Sequence, residues 1–242
     1  MKISLCLLAL TYSALSSGLA QDSPSQSVNP VAVATPHKEA AGTFDWKLKR
    51  VAGKHPDLLF DGDSITNRWE DSGAQAWAQY AKRAANFGIE GDRVENDLWR
   101  LDNGQLDGLD PKLVVLLIGT NNVSGGFTPE QIADGIKVLV AEYEKRCPHA
   151  HIVLMAIFPR GEAATDPMRL KVAAVNDLIK SLDDGNRVSF VDIGPKLLQT
   201  DGKFTPGVVG GDFLHPQAGG YVIWSEALQP LVDKYAPSTS NG

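Results

Sequence analysis

The chain has 242 residues, 43% of them hydrophobic, and 23 Lys and Arg against 29 Asp and Glu give it a net charge of −6 at pH 7. That is enough apolar material for one domain with an ordinary core, and the acidic balance argues against nucleic acid and anionic membranes as partners. Two cysteines are too few for a disulfide framework, and no apolar stretch reaches the roughly 20 residues that span a bilayer, so stable membrane insertion is not expected.

Residues 1–20 open with Lys2, continue through the apolar stretch Ile3 to Leu10 and end on Gly18-Leu19-Ala20, the layout of a secretory signal peptide. This predicts a secreted product, extracellular or periplasmic, beginning near Gln21. Its 222 residues carry a net charge of −7 once Lys2 is gone. Cys6 lies inside the apolar stretch without a small-residue pattern before it and is not read as a lipidation site. Cys147 is then alone, a helix-end residue with no activating partner. Residues 21–42 are rich in Ser, Pro, Ala and Gln and lack a sustained apolar period, so a disordered linker is expected there. The folded domain should run from 43 to 236, with a flexible tail over 237–242.

Phe44, Trp46, Leu48 and Val51 are close to helical spacing and start the domain. Short apolar runs then predict strands at 57–61, 84–87, 113–118, 152–158 and 188–193. Amphipathic stretches predict helices at 73–83, 93–103, 129–147, 167–183 and 218–235. The run from Leu113 to Ile118 is apolar on both faces, as in a central parallel strand covered on both sides. Such alternation implies a doubly wound α/β fold with a parallel sheet of about five strands, whose ligands bind beyond the carboxyl ends of the strands.

Ser64 in Gly62-Asp63-Ser64-Ile65-Thr66 follows the first run, Gly88 the second and Asn121 the third, while Asp212-Phe213-Leu214-His215 lies far downstream. Ester hydrolysis by serine needs a nucleophile, a base, a group that orients the base, and donors for the oxyanion. Ser64 is the candidate nucleophile. His215 is the candidate base, since an imidazole with an unperturbed pKa of about 6.5 exchanges protons near neutrality. Asp212, three residues away in a turn leading to Pro216, would hold it. The oxyanion donors would be the N–H groups of Ser64 and Gly88 and the side-chain amide of Asn121. Each has a bland alternative: a strand-exit turn for Gly-Asp-Ser, a turn asparagine for Asn121, a helix cap for Asp212-x-x-His215. The combination is what favours catalysis.

Ser64, Gly88, Asn121 and His215 resemble, in order, the four residues that name the SGNH hydrolases, also called GDSL esterases. The similarity is closest to the catalytic subunits of intracellular type I platelet-activating-factor acetylhydrolases and their bacterial relatives. It extends to Asn86-Phe87-Gly88-Ile89-Glu90-Gly91-Asp92, Leu98-Trp99-Arg100-Leu101-Asp102-Asn103-Gly104, Phe158-Pro159-Arg160-Gly161-Glu162 and Gly219-Gly220-Tyr221. The resemblance implies a flavodoxin-like three-layer α/β/α sandwich, hydrolysis of short acyl esters without metal or other cofactor, and dimerisation. Two positions depart from the family: Ile65 replaces the leucine of the motif, and Asn122 stands where many relatives carry aspartate. The secretory leader is foreign to the intracellular enzymes, which shifts the expected substrate toward acetylated polysaccharide or small soluble esters, with lipid esters as the alternative.

Two rival classes remain at the level of sequence. Asp61 and Asp63 after an apolar strand also resemble the first motif of Mg-dependent haloacid-dehalogenase-type phosphatases. Trp69, Trp77, Trp99 and Trp224 would serve a non-catalytic carbohydrate-binding protein, although helical aromatics usually belong to packing.

Overall fold

The structure, a computed structural model, describes residues 28–238. The predicted leader over 1–20, residues 21–27 and residues 239–242 lie outside the described residues. Five strands form one parallel sheet: β1 (Leu58–Gly62), β2 (Ala84–Asn86), β3 (Leu113–Leu117), β4 (His151–Met155) and β5 (Val188–Val191), in the order β2-β1-β3-β4-β5. The helices are α1 (Ala41–Val51), α2 (Ser64–Asn67), α3 (Ala74–Trp77), α4 (Val94–Asp102), α5 (Thr120–Ser124), α6 (Pro129–Arg146), α7 (Pro167–Ile179), α8 (Gly194–Leu197) and α9 (Ala218–Tyr235).

Alternate residues of each strand feed two separate cores. Leu59, Val114 and Leu116 face Phe44 of α1, Leu98 of α4, Ile136 of α6 and Val175 of α7. Leu58, Phe60, Val115 and Leu117 face Ile65 of α2, Trp77 of α3, Leu197 of α8 and Trp224 of α9. The sheet is therefore covered on both faces, the expected α/β/α sandwich, and every residue of β1, β3 and β4 is buried.

Trp69, Trp77 and Trp224 are core residues: Trp69 and Trp77 meet Phe60 edge-on, Trp69 lies tilted against Tyr221 and Trp224, and Trp99 packs edge-on to Phe44 at 5.9 Å. The buried Trp69, Trp77 and Trp224 hold helices to the sheet and present no face on which a sugar could stack. The helix expected over 73–83 is regular only over Ala74–Trp77. Beyond it the chain turns, with Tyr80 N–H donating to Trp77 O and Arg83 N–H to Tyr80 O, while Tyr80 reaches Ser225 of α9. Of the helix-spaced residues at the domain start, Phe44 is buried and Trp46 is exposed.

The larger correction concerns residues 28–42, assigned by composition to a disordered linker. They form a strap, with short 3-10 turns at Pro30–Ala32 and Lys38–Ala40, that packs on α4 and α6. Asn29 Nδ2 donates to Gln131 O at 2.9 Å, Thr35 N–H donates to Glu95 O at 2.8 Å, and Asn96 Nδ2 donates to Thr35 O at 2.9 Å. Val31 is fully buried against Gly135 of α6, where a Cβ would lie 2.5 Å from its methyl group. The missing side chain on α6 makes room for the strap, a long-range fit that a local period does not reveal.

Candidate active site

Gly62 ends β1 with φ +142, and a Cβ there would sit 1.9 Å from Leu117 O, so only glycine lets the chain leave the sheet at this point. Asp63 caps α2, its Oδ1 accepting Ile65 N–H at 2.9 Å, and Ser64 becomes the first helical residue. Tyr221 of α9 donates its hydroxyl to Ile65 O at 2.7 Å and fixes the helix from the other side.

Across from α2, the loop before α9 delivers the other two groups. Ser64 Oγ lies 2.9 Å from His215 Nε2, and His215 Nδ1 lies 2.6 Å from Asp212 Oδ2. With a carboxylate accepting at Nδ1–H, Nε2 is left as the acceptor for the serine proton. Asp212 also receives the N–H groups of Leu214 and His215 through Oδ1, both at 3.1 Å. Burial opposes ionisation of Asp212, but the hydrogen bonds from His215 and Leu214 outweigh it and hold the carboxyl below its usual range. The loop is closed by Gly210 N–H donating to His215 O at 2.8 Å, and Phe213 at its tip adopts a left-handed φ of 53. Gly161 N–H donates to Phe213 O at 2.9 Å, tying on the loop after β4. The same loop sends Arg160 to Thr120 O and Ser124 Oγ, at 2.8 and 2.7 Å, beneath Asn121.

The oxyanion side differs from expectation at one residue. Gly88 N–H is already engaged, donating to Asn86 Oδ1 at 2.9 Å, while Asn86 Nδ2 donates to Thr66 O. The reason for glycine at 88 is proximity: a Cβ would lie 2.3 Å from Asn67 N and 2.7 Å from Thr66 C, so the loop passes directly behind the nucleophile helix. The N–H groups of Ser64 and Gly91 have no acceptor among the described residues. Gly91 has φ +80 and precedes Asp92, whose carbonyl accepts Asn121 Nδ2 at 2.8 Å. Asn121 keeps a second N–H, so Gly91 and Asn121 share one rim. Both glycines occur in the same sequence block, and only the Asn86 turn separates their roles.

Asn122, the departure from the family pattern, has a partner suited to its amide. Its Oδ1 accepts Val94 N–H at 3.1 Å and its Nδ2 donates to Glu95 Oε2 at 2.7 Å. An aspartate there would face the Glu95 carboxylate with no proton to offer.

The aspartates of the phosphatase reading are both committed elsewhere. Asp61 is fully buried, paired with Arg100 at 2.8 Å, with Gln105 Nε2 at 2.8 Å and with the Tyr143 hydroxyl. Arg100 also meets Asp97 and, at 3.2 Å, Asp92, so three carboxylates surround one guanidinium. Burial raises Asp97 well above the usual carboxylate range, against the opposing pull of Arg100. Asp63 is the helix cap, raised to about 7, first by burial and then by Asp92 and Glu90. Neither residue of the pair is free to attack a phosphate. Among the described residues no group of three or more His, Cys, Asp or Glu is placed to hold a metal ion, and no helix is long and apolar enough to cross a membrane. Cys147 is buried, which pushes its thiol up to about 11 and keeps it unreactive.

Comparison with known proteins places the chain in a family. Residues 60–223 match the GDSL-like Lipase/Acylhydrolase family. The chain is 33% identical over 213 residues to the platelet-activating factor acetylhydrolase IB subunit alpha1 of Bos taurus, covering 84% of this chain and 89% of the relative. In fold it is similar to a solved platelet-activating-factor-like protein from Streptococcus pneumonia, with a TM-score of 0.69 and 24% identity over 81% of this chain and 93% of the other. An acetylxylan esterase from Geobacillus stearothermophilus shares the fold at a TM-score of 0.58 and 22% identity, over 76% and 94% of the two chains. The chain belongs to the GDSL-like lipase/acylhydrolase family and is a serine hydrolase acting on ester bonds.

Proposed function

We propose that the protein hydrolyses short acyl esters, acetyl esters foremost, through an acyl-enzyme on Ser64. The relay of 2.9 Å from Ser64 Oγ to His215 Nε2 and 2.6 Å from His215 Nδ1 to Asp212 Oδ2 carries this reading. Ser64 Oγ attacks the ester carbonyl carbon while its proton passes to His215 Nε2, and Asp212 stabilises the imidazolium. The carbonyl oxygen becomes an oxyanion facing the N–H groups of Ser64 and Gly91 and the Asn121 amide. Collapse of this intermediate expels the alkoxide, which takes the proton from His215. Water repeats the sequence on the acyl-serine, releasing the acid and restoring Ser64. No step calls for a metal or cofactor.

For the natural substrate we infer an acetylated polysaccharide or small soluble ester met outside the cytoplasm. The leader-like layout of residues 1–20 supports export, and an acetylxylan esterase among the fold neighbours is evidence that this scaffold accommodates glycan esters. A second reading, cleavage of acetylated phospholipid, is supported by the 33% identity to an acetylhydrolase subunit. The test is a panel of p-nitrophenyl esters of rising chain length beside acetylated xylan and an acetylated phospholipid, with wild type and Ser64→Ala, in the presence and absence of EDTA. Turnover falling with chain length, abolished in Ser64→Ala and indifferent to EDTA, is expected. Loss of activity in EDTA, or its persistence in Ser64→Ala, would overturn the mechanism, and the ratio of the xylan and phospholipid rates decides the substrate.

A further inference from the structure

β2 is the outermost strand on its side of the sheet, paired only with β1. Beside it, α1, the loop leading to β1 and the turn before β2 enclose a cavity of about 490 Å³. Its lining includes Lys47, Arg50, Lys54, His55, Lys82 and Arg83, and no Asp or Glu. The volume falls in the range of small-ligand sites, about 300–1,000 Å³. In a protein of net charge −6, this is a local reversal of sign.

The nearby carboxylates neutralise only part of it. Glu70 takes Arg50 at 2.6 Å, and Asp57 is divided between Arg83 at 3.4 Å and Lys112 at 2.9 Å. Lys47, Lys54, His55 and Lys82 have no carboxylate within ion-pair distance among the described residues. Lys47 is 2% exposed, with Nζ donating to Asn67 Oδ1 at 2.9 Å and to Asn86 O at 3.1 Å. An ammonium has three donors, so one remains. The Nε–H of Arg83 is buried without an acceptor among the described residues. Burying a cation among neutral acceptors is unfavourable, and Lys47 is lowered to about 8 chiefly for that reason. A cleft lined by one sign of charge, with low-dielectric walls, concentrates the field on whatever enters it.

We propose that this cleft binds a small multivalent anion, a compact ligand with two or more carboxylate, phosphate or sulfate groups, at a site separate from Ser64. The concave form fits such a ligand better than an extended anionic surface, which the net charge of the whole chain would repel. Lys54 and Lys82 are exposed and supply the entrance, while Lys47 and Arg83 supply the deeper donors. Through Lys47 the ligand would sit against Asn67, the last residue of the helix that Ser64 begins.

Isothermal titration of the full chain with tripolyphosphate, citrate and trigalacturonate, at 50 and 200 mM salt, tests the assignment. Wild type is compared with the double variant Lys54→Glu/Lys82→Glu. Saturable binding of at least one probe is expected, weakened about tenfold or more by the double variant and weakened again by salt. The tightest probe identifies the source: tripolyphosphate a phosphorylated ligand, trigalacturonate a uronate-bearing glycan, citrate a compact carboxylate. Hydrolysis of p-nitrophenyl acetate should be unchanged in the variant, which shows that the fold is intact. Absence of binding by all three probes at millimolar concentration, or equal affinity in the double variant, overturns the proposal. The readout is binding, so the outcome is independent of the ester substrate.

Discussion

His37 of the strap and Asp92 of the oxyanion rim are joined at 2.6 Å, and the backbone carbonyl of the same Asp92 receives the Asn121 amide at 2.8 Å. A residue 27 positions before the nucleophile is thus two hydrogen bonds from the group expected to hold the oxyanion. Around the Asp92 carboxyl stand His37 and Arg100, while burial pushes it above its ordinary range.

His37→Ala is expected to lower kcat on p-nitrophenyl acetate by about tenfold, the effect of losing roughly 1.5 kcal/mol from a hydrogen bond to a charged group, with little change in KM. His37→Asn should recover part of it. A fall in melting temperature with kcat intact would assign His37 to packing alone.

Asp212→Asn removes the acceptor that fixes the His215 tautomer. Because Asp212 is 50% exposed, its loss should hardly touch stability. A drop in kcat of about 10²- to 10⁴-fold is expected. Steady-state kinetics beside thermal unfolding checks the pair, and an unchanged kcat would place the orienting group elsewhere.

Asn121 and Gly88 should separate catalysis from architecture. Asn121→Ala is expected to lower kcat by about 10²- to 10³-fold, as for the loss of one oxyanion donor. Gly88→Ala drives a methyl group to 2.3 Å from Asn67 N and should instead reduce stability and yield. Urea unfolding of both variants distinguishes the outcomes; a stable, inactive Gly88→Ala would restore Gly88 to the oxyanion site.

Asp63 predicts a pH dependence of stability. Its folded pKa, about 7, lies above the unfolded 3.8, so between these values the folded state holds a proton that the unfolded chain has released. Stability from this group is fully present below about pH 4 and falls as pH rises to 7. Asp63→Asn keeps a capping oxygen and has no proton to lose, so the variant should gain on wild type across the window, by up to roughly 4 kcal/mol. Urea titrations at pH 4.5, 5.5 and 7.5 measure the difference; parallel curves would sink the idea.

The strands were legible because short apolar runs between turn residues have few other uses, and the pairing of Ser64 with Asp212 and His215 followed from their chemistry and order. What escaped depends on contacts between distant residues. Val31 and His37 look like parts of a polar linker until Gly135 and Asp92 are placed opposite them. Gly88 and Gly91 are indistinguishable as letters and differ because the Asn86 side chain folds onto one amide only. Asp61 passes for a phosphatase nucleophile until Arg100, 39 residues later, is found against it.

The outer edge of β2 has a further consequence, for solubility. An unpaired strand edge invites a second copy to add its own strand, and proteins commonly deter this with short edges and lysines. β2 is three residues long, and Lys47, Lys54 and Lys82 stand around its free side. The charges that make the cleft attractive to a small anion thus also guard the sheet against aggregation. A variant that neutralised the exposed Lys54 and Lys82 would leave that short edge with less charge to turn a second copy away.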